Sequence, residues 1–530
     1  MSANASKPGW IDVVTRKRRD QRTAIESFMT ANLNSTPCDD EIRHLEYSAL
    51  VERLSSGSLS AEAVTIAYIR GAISAHEKTN CLTEVFFSDA LKRAKDLDAC
   101  FHKEGCPVGR LHGIPISLKD QFNVQGYDTT LGYVGRAYSP AGQDASLVQI
   151  LVQQGAVLIA KTNVPQSIMM AETNNPLWGL TVNPRDDLFT PGGSSGGESA
   201  LLASQGSLIG WGTDIGGSIR GPSHMMGLYG LKPSHGRLPY YNVAVSTEGQ
   251  EHVPSVVGPL TRSLGALIDV TSIVIDSEPW KLDPKCINMP WNAKAFNDVL
   301  SRPLTIGVIW DDGVVKVHPP IARALREFVE KAKNSGHEVI DWDPVGHDTC
   351  INIQDQYYTA DGGEDIRREV NHGGEPLLPY VQALVDRAPA ISVYEYWQLH
   401  RQKLECQRAY LEKWNNTRAP GSGRKVDVLL GPVMPHSAVP HNCCRWVGYT
   451  KVWNFLDYPA VSFPVTQVSK DIDVLDSTYV PRNAFDEWNW KLYDPGRMDK
   501  HPIGLQLIAQ RHGEEKVLAA TQVLLEAYHR

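Results

Sequence analysis

The apolar residues that follow Ser60 recur with the period of an α-helix that buries one face. Ser60 is a typical helix N-cap, and Glu62 lies in the first turn, where a carboxylate complements the positive end of the helix dipole. Counted from Val64, the positions i, i+3, i+4, i+7 and i+8 are all apolar or glycine. The pattern predicts a helix that packs against a larger core.

Further along the chain, apolar residues occur at every second position, as in a β-strand. Ile114, Ile116 and Leu118 are separated by smaller or polar residues. The segment predicts a short strand, and the carboxyl end of that strand presents Lys119.

Helices and strands then alternate. Residues 144–154 predict a helix that ends at Gly155, and residues 156–160 predict a buried strand that leads to Asn163. This order is typical of an α/β fold, in which ligands bind beyond the carboxyl ends of strands. Lys119 and Asn163 both lie at such ends. Further buried strands are predicted at residues 207–212, 427–431, 459–464 and 504–509.

Composition narrows the class of protein. The 530 residues are 42% apolar and 21% charged, which is sufficient for a large folded core. The net charge of −8 argues against a protein that binds nucleic acid through bulk positive charge. No run of 18 apolar residues occurs, and we expect no membrane attachment. Nine cysteines without a C-x-x-C motif predict reduced thiols and a cytoplasmic location, and no metal-binding motif is present.

Two glycine-rich segments, residues 190–197 and 212–220, are unlike the rest of the chain. A flexible linker is one explanation of such composition, but both segments are bracketed by predicted buried elements. Ser194 and Ser195 precede a predicted helix, where unpaired N–H groups favour negative charge. The run Ile215-Gly216-Gly217-Ser218 offers successive N–H groups without bulky side chains, as an oxyanion hole requires. Ser218 is then a candidate nucleophile.

A nucleophilic serine needs a base, and the residues alone leave two candidates. The segment around Ser194 formally matches the G-x-S-x-G motif of Ser-His hydrolases, although no apolar strand precedes it. The other candidate is Lys119, which acts as a base only if burial lowers its pKa towards neutrality. A lysine at a strand end more often extends to solvent. Both alternatives stay open on this evidence.

Three motifs together resemble those of the amidase-signature family, over the chain from about residue 50 to the C-terminus. The motifs are Gly-Gly-Ser-Ser-Gly-Gly at 192–197, Gly-Thr-Asp-Ile-Gly-Gly-Ser-Ile-Arg at 212–220, and Gly-Ile-Pro-Ile-Ser-Leu-Lys-Asp at 113–120. Within the family the chain is most similar to fungal acetamidases. The resemblance implies an α/β amidase-signature fold with a mixed, mostly parallel central sheet of about eleven strands and helices on both faces.

The resemblance also implies a domain organisation. We expect an N-terminal helical extension at residues 1–50 and a single domain at 51–530. Its signature core is expected at about 105–265. An outer covering region is expected at about 275–425, where aromatic and charged residues are frequent.

Roles for particular residues follow from the resemblance as expectations. Ser218 is the nucleophile, Lys119 the base, and Ser194 the bridging serine, joined to Gly193 by a cis peptide bond. The expected oxyanion donors are the N–H groups of Ile215, Gly216, Gly217 and Ser218, and Ile168 is expected to line the acyl pocket.

The activity implied is hydrolysis of a small-molecule carboxamide to a carboxylic acid and ammonia or an amine, through a serine acyl-enzyme. No metal or cofactor, no nucleic acid and no membrane partner is implied, and a homodimer is the assembly considered. The alternative is a glutaminase-type subunit of a tRNA-dependent amidotransferase, which would need partner subunits, ATP and tRNA.

Overall fold

The computed structural model describes residues 9–32 and 37–530, with the side chains of residues 37 and 38 left out. The first eight residues, the segment 33–36 and the Cys38 thiol therefore lie outside the described part of the chain. Every other cysteine is a free thiol, as predicted. Across the described ranges, no helix combines the length and the apolar character needed to cross a membrane.

Helices form most of the periphery of the molecule. Within the described residues the α-helices are α1 (Trp10–Ala31), α2 (Pro37–His44), α3 (Tyr47–Ser55), α4 (Ala61–Thr79), α5 (Phe87–Glu104), α6 (Ser146–Gln153), α7 (Gly196–Ala203), α8 (Arg220–Met226), α9 (Leu264–Asp276), α10 (Ala293–Leu300), α11 (Pro319–Asn334), α12 (His347–Tyr357), α13 (Glu364–Gly373), α14 (Pro379–Val385), α15 (Val393–Asn416), α16 (Gly448–Phe455), α17 (Ala484–Leu492) and α18 (Glu514–His529).

The strands form one large sheet and one small hairpin. They are β1 (Leu82–Val85), β2 (Pro115–Lys119), β3 (Val157–Thr162), β4 (Asn174–Asn175), β5 (Gly179–Leu180), β6 (Ile209–Asp214), β7 (Tyr229–Lys232), β8 (Val256–Thr261), β9 (Thr305–Val308), β10 (Glu338–Asp341), β11 (Val428–Pro432), β12 (Ala460–Gln467) and β13 (Pro502–Ile508). The predicted strands near 114, 156, 207, 427, 459 and 504 are all present within a few residues.

The large sheet has eleven strands, as expected, in the order β1-β3-β2-β6-β8-β7-β12-β13-β11-β9-β10. The expectation that its strands are mostly parallel is wrong. Among the described strands, four of the ten neighbouring pairs are parallel (β3-β2, β2-β6, β11-β9 and β9-β10). The other six pairs are antiparallel.

Two strands that lie between strands of the opposite direction account for four of the six antiparallel pairs. β6 and β7, which α8 connects, point in the same direction, but β8 lies antiparallel between them. β11 and β12, which α16 connects, likewise point in one direction with β13 antiparallel between them. Helical crossovers favour parallel strands, as predicted, and later strands then occupy the space between them.

Side chains of β2 face two layers of the fold. Ile116 and Leu118 are fully buried in the largest apolar cluster, together with residues of α4 and α5. Ser117, which points the other way, donates a hydrogen bond to Glu198 of α7. Helices thus cover both faces of the sheet, and the polar face of β2 lies beneath the start of α7.

The predicted helix after Ser60 is confirmed. The Ser60 side chain accepts a hydrogen bond from the N–H of Ala63, and α4 ends at Asn80 in the left-handed conformation. The N-terminal region also contains the helices α1, α2 and α3. The division of the chain into an extension and one large domain stays a prediction.

Candidate active site

The carboxyl ends of β2 and β6 and the start of α7 meet at one edge of the sheet. β2 and β6 are parallel neighbours, so that Lys119 and Thr213 end on the same side. Lys119 is fully buried. Its Nζ lies 2.7 Å from Ser194 Oγ and 2.9 Å from Thr213 Oγ1. The lysine predicted as a base is therefore in direct contact with the predicted bridging serine.

Burial changes the acid–base behaviour of the lysine. Loss of hydration lowers the pKa of Lys119 to about 7, although the negative charge of Asp214, and that of Glu198 when it is ionised, favour the charged form of the lysine. A neutral amine has a lone pair that accepts a proton. At neutral pH a large fraction of Lys119 is therefore in the state that a general base needs.

A chain of hydrogen bonds orients this amine. The Gln121 amide donates to the Ala244 carbonyl at 2.7 Å, which directs its Oε1 towards Thr213. The Thr213 hydroxyl donates to Gln121 Oε1 at 2.5 Å and must therefore accept from Lys119 Nζ. One N–H of the amine is then directed at Thr213, and the lone pair is left for Ser194.

Ser194 follows Gly193 through a cis peptide bond, as expected from the family resemblance. The backbone of Met170 and Glu172 lies directly against Gly193. A Cβ atom at Gly193 would lie 2.3 Å from the Glu172 carbonyl oxygen, so only glycine fits. The next residue, Ser195, is the N-cap of α7.

Ser218 lies in the turn that follows β6 and is half-buried. The Ser195 N–H donates to the Ser218 carbonyl at 3.2 Å, which ties the turn to the start of α7. The two glycine-rich segments of the sequence are thus adjacent in space. The structure brings Ser194, Lys119 and the backbone of Ser218 into one region.

The buried carboxylate of Asp214 organises this turn. It accepts hydrogen bonds from the N–H groups of Gly217 at 2.8 Å and Ile219 at 3.1 Å. It also pairs with Arg220 at 2.9 Å. The Arg220 guanidinium and Asn454 hold the pKa of Asp214 far below its usual range, against the effect of burial.

The expectation for the oxyanion donors needs one correction. The Gly217 N–H donates to Asp214 and is not free for a ligand. Within the described residues, no protein acceptor takes the N–H of Ile215, Gly216 or Ser218. The role of these three N–H groups as oxyanion donors stays a prediction.

Ile168 lies in a loop of left-handed backbone, with φ of +57°. Its side chain belongs to an apolar cluster with Leu131 and Tyr133. Buried residues of α13 and α14, from the predicted covering region, complete the cluster. The role of Ile168 in an acyl pocket stays a prediction.

A buried carboxylic acid beneath the site had no role in the sequence interpretation. Glu198 of α7 is fully buried and accepts hydrogen bonds from Ser117 at 2.6 Å and Thr162 at 2.9 Å. Burial raises the pKa of Glu198 to about 8. It directly follows the glycine-rich motif at 192–197, but the sequence does not show that its side chain faces the strand of Lys119.

Other contacts to the turn come from residues distant in sequence. Gln354 and Tyr358 reach the Ile215 carbonyl, and Thr450 reaches the Gly216 carbonyl. No spacing pattern pointed to them. Among the described side chains, no group of three or more His, Cys, Asp or Glu residues is placed to hold a metal ion.

Comparisons with known proteins show the family of the chain. The amidase family model matches residues 63–518. Amidase 1 of Gibberella moniliformis is 52% identical over 96% of this chain and 98% of its own length. The acetamidase of Emericella nidulans is 41% identical over 91% of this chain and 89% of its own length. A solved fatty acid amide hydrolase superposes with a TM-score of 0.88 at 32% identity, covering 99% of this chain and 91% of that structure.

The family match spans most of the chain, and the relatives match nearly end to end. The chain therefore belongs to the amidase family and is an amide hydrolase.

Proposed function

We propose that this enzyme hydrolyses small-molecule carboxamides through an acyl-enzyme on Ser218, with Lys119 as general base and Ser194 as proton relay. The observation that carries the proposal is the contact of 2.7 Å between Ser194 Oγ and a fully buried lysine amine whose pKa is lowered to about 7. Both hydrogen-bond partners of this amine are hydroxyl groups, and burying an ammonium ion without a directly bonded carboxylate is costly, which favours the neutral amine.

In the first half-reaction the lone pair of Lys119 takes the proton of the Ser194 hydroxyl, which takes the proton of Ser218. The freed Ser218 oxygen attacks the amide carbon, and the carbonyl electrons move onto oxygen. The N–H groups of Ile215, Gly216 and Ser218 stabilise that oxyanion. As the intermediate collapses, the proton on Lys119 returns through Ser194 to the leaving nitrogen, which departs as ammonia or an amine.

The second half-reaction repeats the relay with water. Water gives one proton to Lys119 through Ser194, and its oxygen attacks the acyl carbon. Collapse of this second intermediate breaks the bond to Ser218, and the proton returns to the Ser218 oxygen. The net change is amide plus water to acid plus amine, and no external acid or base is consumed.

For the substrate we infer a simple carboxamide with a small acyl group. Support comes from the similarity to enzymes named acetamidase.

The test is hydrolysis by the purified chain without ATP or tRNA. Ammonia release is measured for acetamide, propionamide, benzamide and glutamine, and amine release for an anilide. The proposal predicts turnover of at least one simple amide, with loss of turnover in Ser218→Ala and Lys119→Ala. Activity that is limited to glutamine and requires partner subunits would favour the amidotransferase alternative. Full activity in Lys119→Ala would reject the lysine mechanism.

A further inference from the structure

The carbonyl of Ile215 is held by two side chains from outside the signature motifs. Tyr358, which directly follows α12, donates its hydroxyl to the Ile215 oxygen at 2.9 Å. Gln354, one helical turn earlier, donates its Nε2 to the same oxygen at 2.9 Å. Two donors on one carbonyl oxygen fix its direction and polarise the peptide group.

The two donors also orient each other. Gln354 Nε2 lies 2.6 Å from Tyr358 Oη and donates to it. The tyrosine oxygen thus accepts from Gln354, while its proton is directed at the Ile215 carbonyl. Burial raises the pKa of the Tyr358 phenol, which therefore keeps that proton throughout the working range of the enzyme.

This carbonyl belongs to the same rigid peptide unit as the N–H of Gly216. In a trans peptide the C=O and N–H groups point in opposite directions. Fixing the Ile215 oxygen against α12 therefore fixes the direction in which the Gly216 N–H points, away from α12. That N–H has no protein acceptor among the described residues and is one of the three donors left for the oxyanion.

The next peptide unit in the turn, which joins Gly216 to Gly217, is bonded at both ends. Thr450 of α16 donates to the Gly216 carbonyl at 2.7 Å, and the Gly217 N–H at the other end of that unit donates to Asp214. Both ends of this unit are occupied by protein groups. Of the two units, only the one anchored by Tyr358 and Gln354 keeps an open donor.

The contact with Tyr358 explains why residue 216 is a glycine. A Cβ atom at Gly216 would lie 2.7 Å from Tyr358 Oη. A side chain at position 216 would therefore displace the hydroxyl. The segment around α12 is further joined to α16 by an ion pair of 2.5 Å between Lys451 and Asp355.

We propose that Tyr358 is a positioning residue for catalysis, which with Gln354 anchors the Ile215 carbonyl so that the Gly216 N–H is directed at the oxyanion of the tetrahedral intermediate. The inference rests on the proposed serine mechanism. It assigns a catalytic contribution to the covering region of the fold, which would otherwise only enclose the substrate.

The test variant is Tyr358→Phe, which keeps the ring and removes the hydroxyl. Loss of a whole oxyanion donor costs roughly 10²–10³ in kcat. Because Gln354 still holds the carbonyl, we expect kcat to fall about 10-fold and KM to stay unchanged. The double variant Tyr358→Phe/Gln354→Met removes both anchors and should lose about 10²-fold or more.

A second readout separates positioning from general damage. A trifluoromethyl ketone analogue of the best amide substrate forms a tetrahedral adduct with the serine, and its oxygen anion occupies the oxyanion site. Its inhibition constant should rise by the same factor as kcat/KM falls. The control is Tyr357→Phe, which removes the neighbouring hydroxyl that contacts His400 at 2.9 Å and should change neither quantity.

The outcomes distinguish the two proposals. If the ketone inhibits the wild-type enzyme through Ser218 but Tyr358→Phe changes neither kcat nor the inhibition constant, Tyr358 has no positioning role. A parallel loss in Tyr357→Phe, or a rise in KM alone, would also overturn the inference. If the ketone forms no adduct with Ser218 in the wild-type enzyme, the serine mechanism itself fails.

Discussion

Replacement of Lys119, the proposed general base, by methionine should stabilise the fold at neutral pH while it removes activity. Lys119 is completely buried, and burial lowers its pKa from 10.5 to about 7. At pH 7 the unfolded chain holds a proton on this amine more tightly than the folded enzyme does. Folding therefore has a free-energy cost at Lys119. Methionine fills a similar volume without that cost.

The magnitude follows from the two pKa values. The difference between 10.5 and about 7 corresponds to about 4–5 kcal/mol of destabilisation at pH 7. Against this, Lys119→Met loses the hydrogen bonds to Ser194 and Thr213, at about 1 kcal/mol each. The variant should therefore be more stable than the wild-type enzyme by about 2–3 kcal/mol at pH 7.

The pH dependence has a definite sign. Between about 7 and 10.5 the unfolded chain binds more protons at this site than the folded enzyme does. The stability of the wild-type enzyme relative to the variant therefore increases as the pH rises, by about 1.4 kcal/mol per pH unit. The advantage of the variant should disappear near pH 9 and reverse at higher pH.

The assay is reversible urea unfolding of both proteins at pH 7 and pH 9. Lys331→Met, on the exposed face of α11, controls for the loss of one positive charge. A stability difference between wild type and Lys119→Met that is the same at both pH values would refute the claim that this amine is held neutral by burial. A variant less stable than the wild type at pH 7 would do so as well.

Three further predictions concern neighbouring residues. Ser194→Ala should lower kcat by roughly 10³-fold or more because the proton relay acts as a unit. Ser195→Ala removes a buried hydroxyl that has no hydrogen-bond partner among the described residues, and its kcat in the same ammonia assay should stay within about 3-fold of the wild-type value. Equal losses of kcat in the two variants would contradict the assignment of Ser194 as the proton relay. Thr213→Val removes a hydrogen-bond acceptor from Lys119 and should lower the pKa of the lysine further, because the charged form loses a partner. The acid limb of the kcat/KM profile should therefore move below pH 7. An acid limb that does not move would argue against this contact. Asp214→Ala leaves the buried Arg220 guanidinium without its carboxylate and should cost about 3–5 kcal/mol in urea unfolding, whereas a loss under about 1 kcal/mol would be inconsistent with the buried ion pair.

Local patterns predicted six of the eleven strands of the large sheet and a few of the helices. Periodicity and capping placed the start of α4 and the whole of β2 to within a residue or two, because the N-cap and the alternation of apolar residues are local signals. Strand direction was not predictable to the same degree. The positions of β8 and β13 depend on pairing with strands far away in the chain, and local periodicity carries no information about such pairing.

The motifs of the candidate site were predictable from the sequence, but the hydrogen bonds between its residues were not. The contact between Lys119 and Ser194 requires two segments 75 residues apart to meet, and the sequence alone left the base undecided. The hydrogen bond from Gly217 to Asp214 could not be read from the glycine pattern, because equivalent N–H groups look alike in a sequence. The contact from Tyr358 spans 143 residues and left no local signal.

The most direct test of Ser218 as the nucleophile is to identify the residue that becomes covalently modified. The purified enzyme is treated with a fluorophosphonate, digested and mapped by mass spectrometry. The proposed mechanism predicts a single adduct on Ser218, formed faster as the pH rises through about 7, where the amine of Lys119 loses its proton. An adduct on Ser194 instead, or amide turnover that persists in Ser218→Ala, would contradict it.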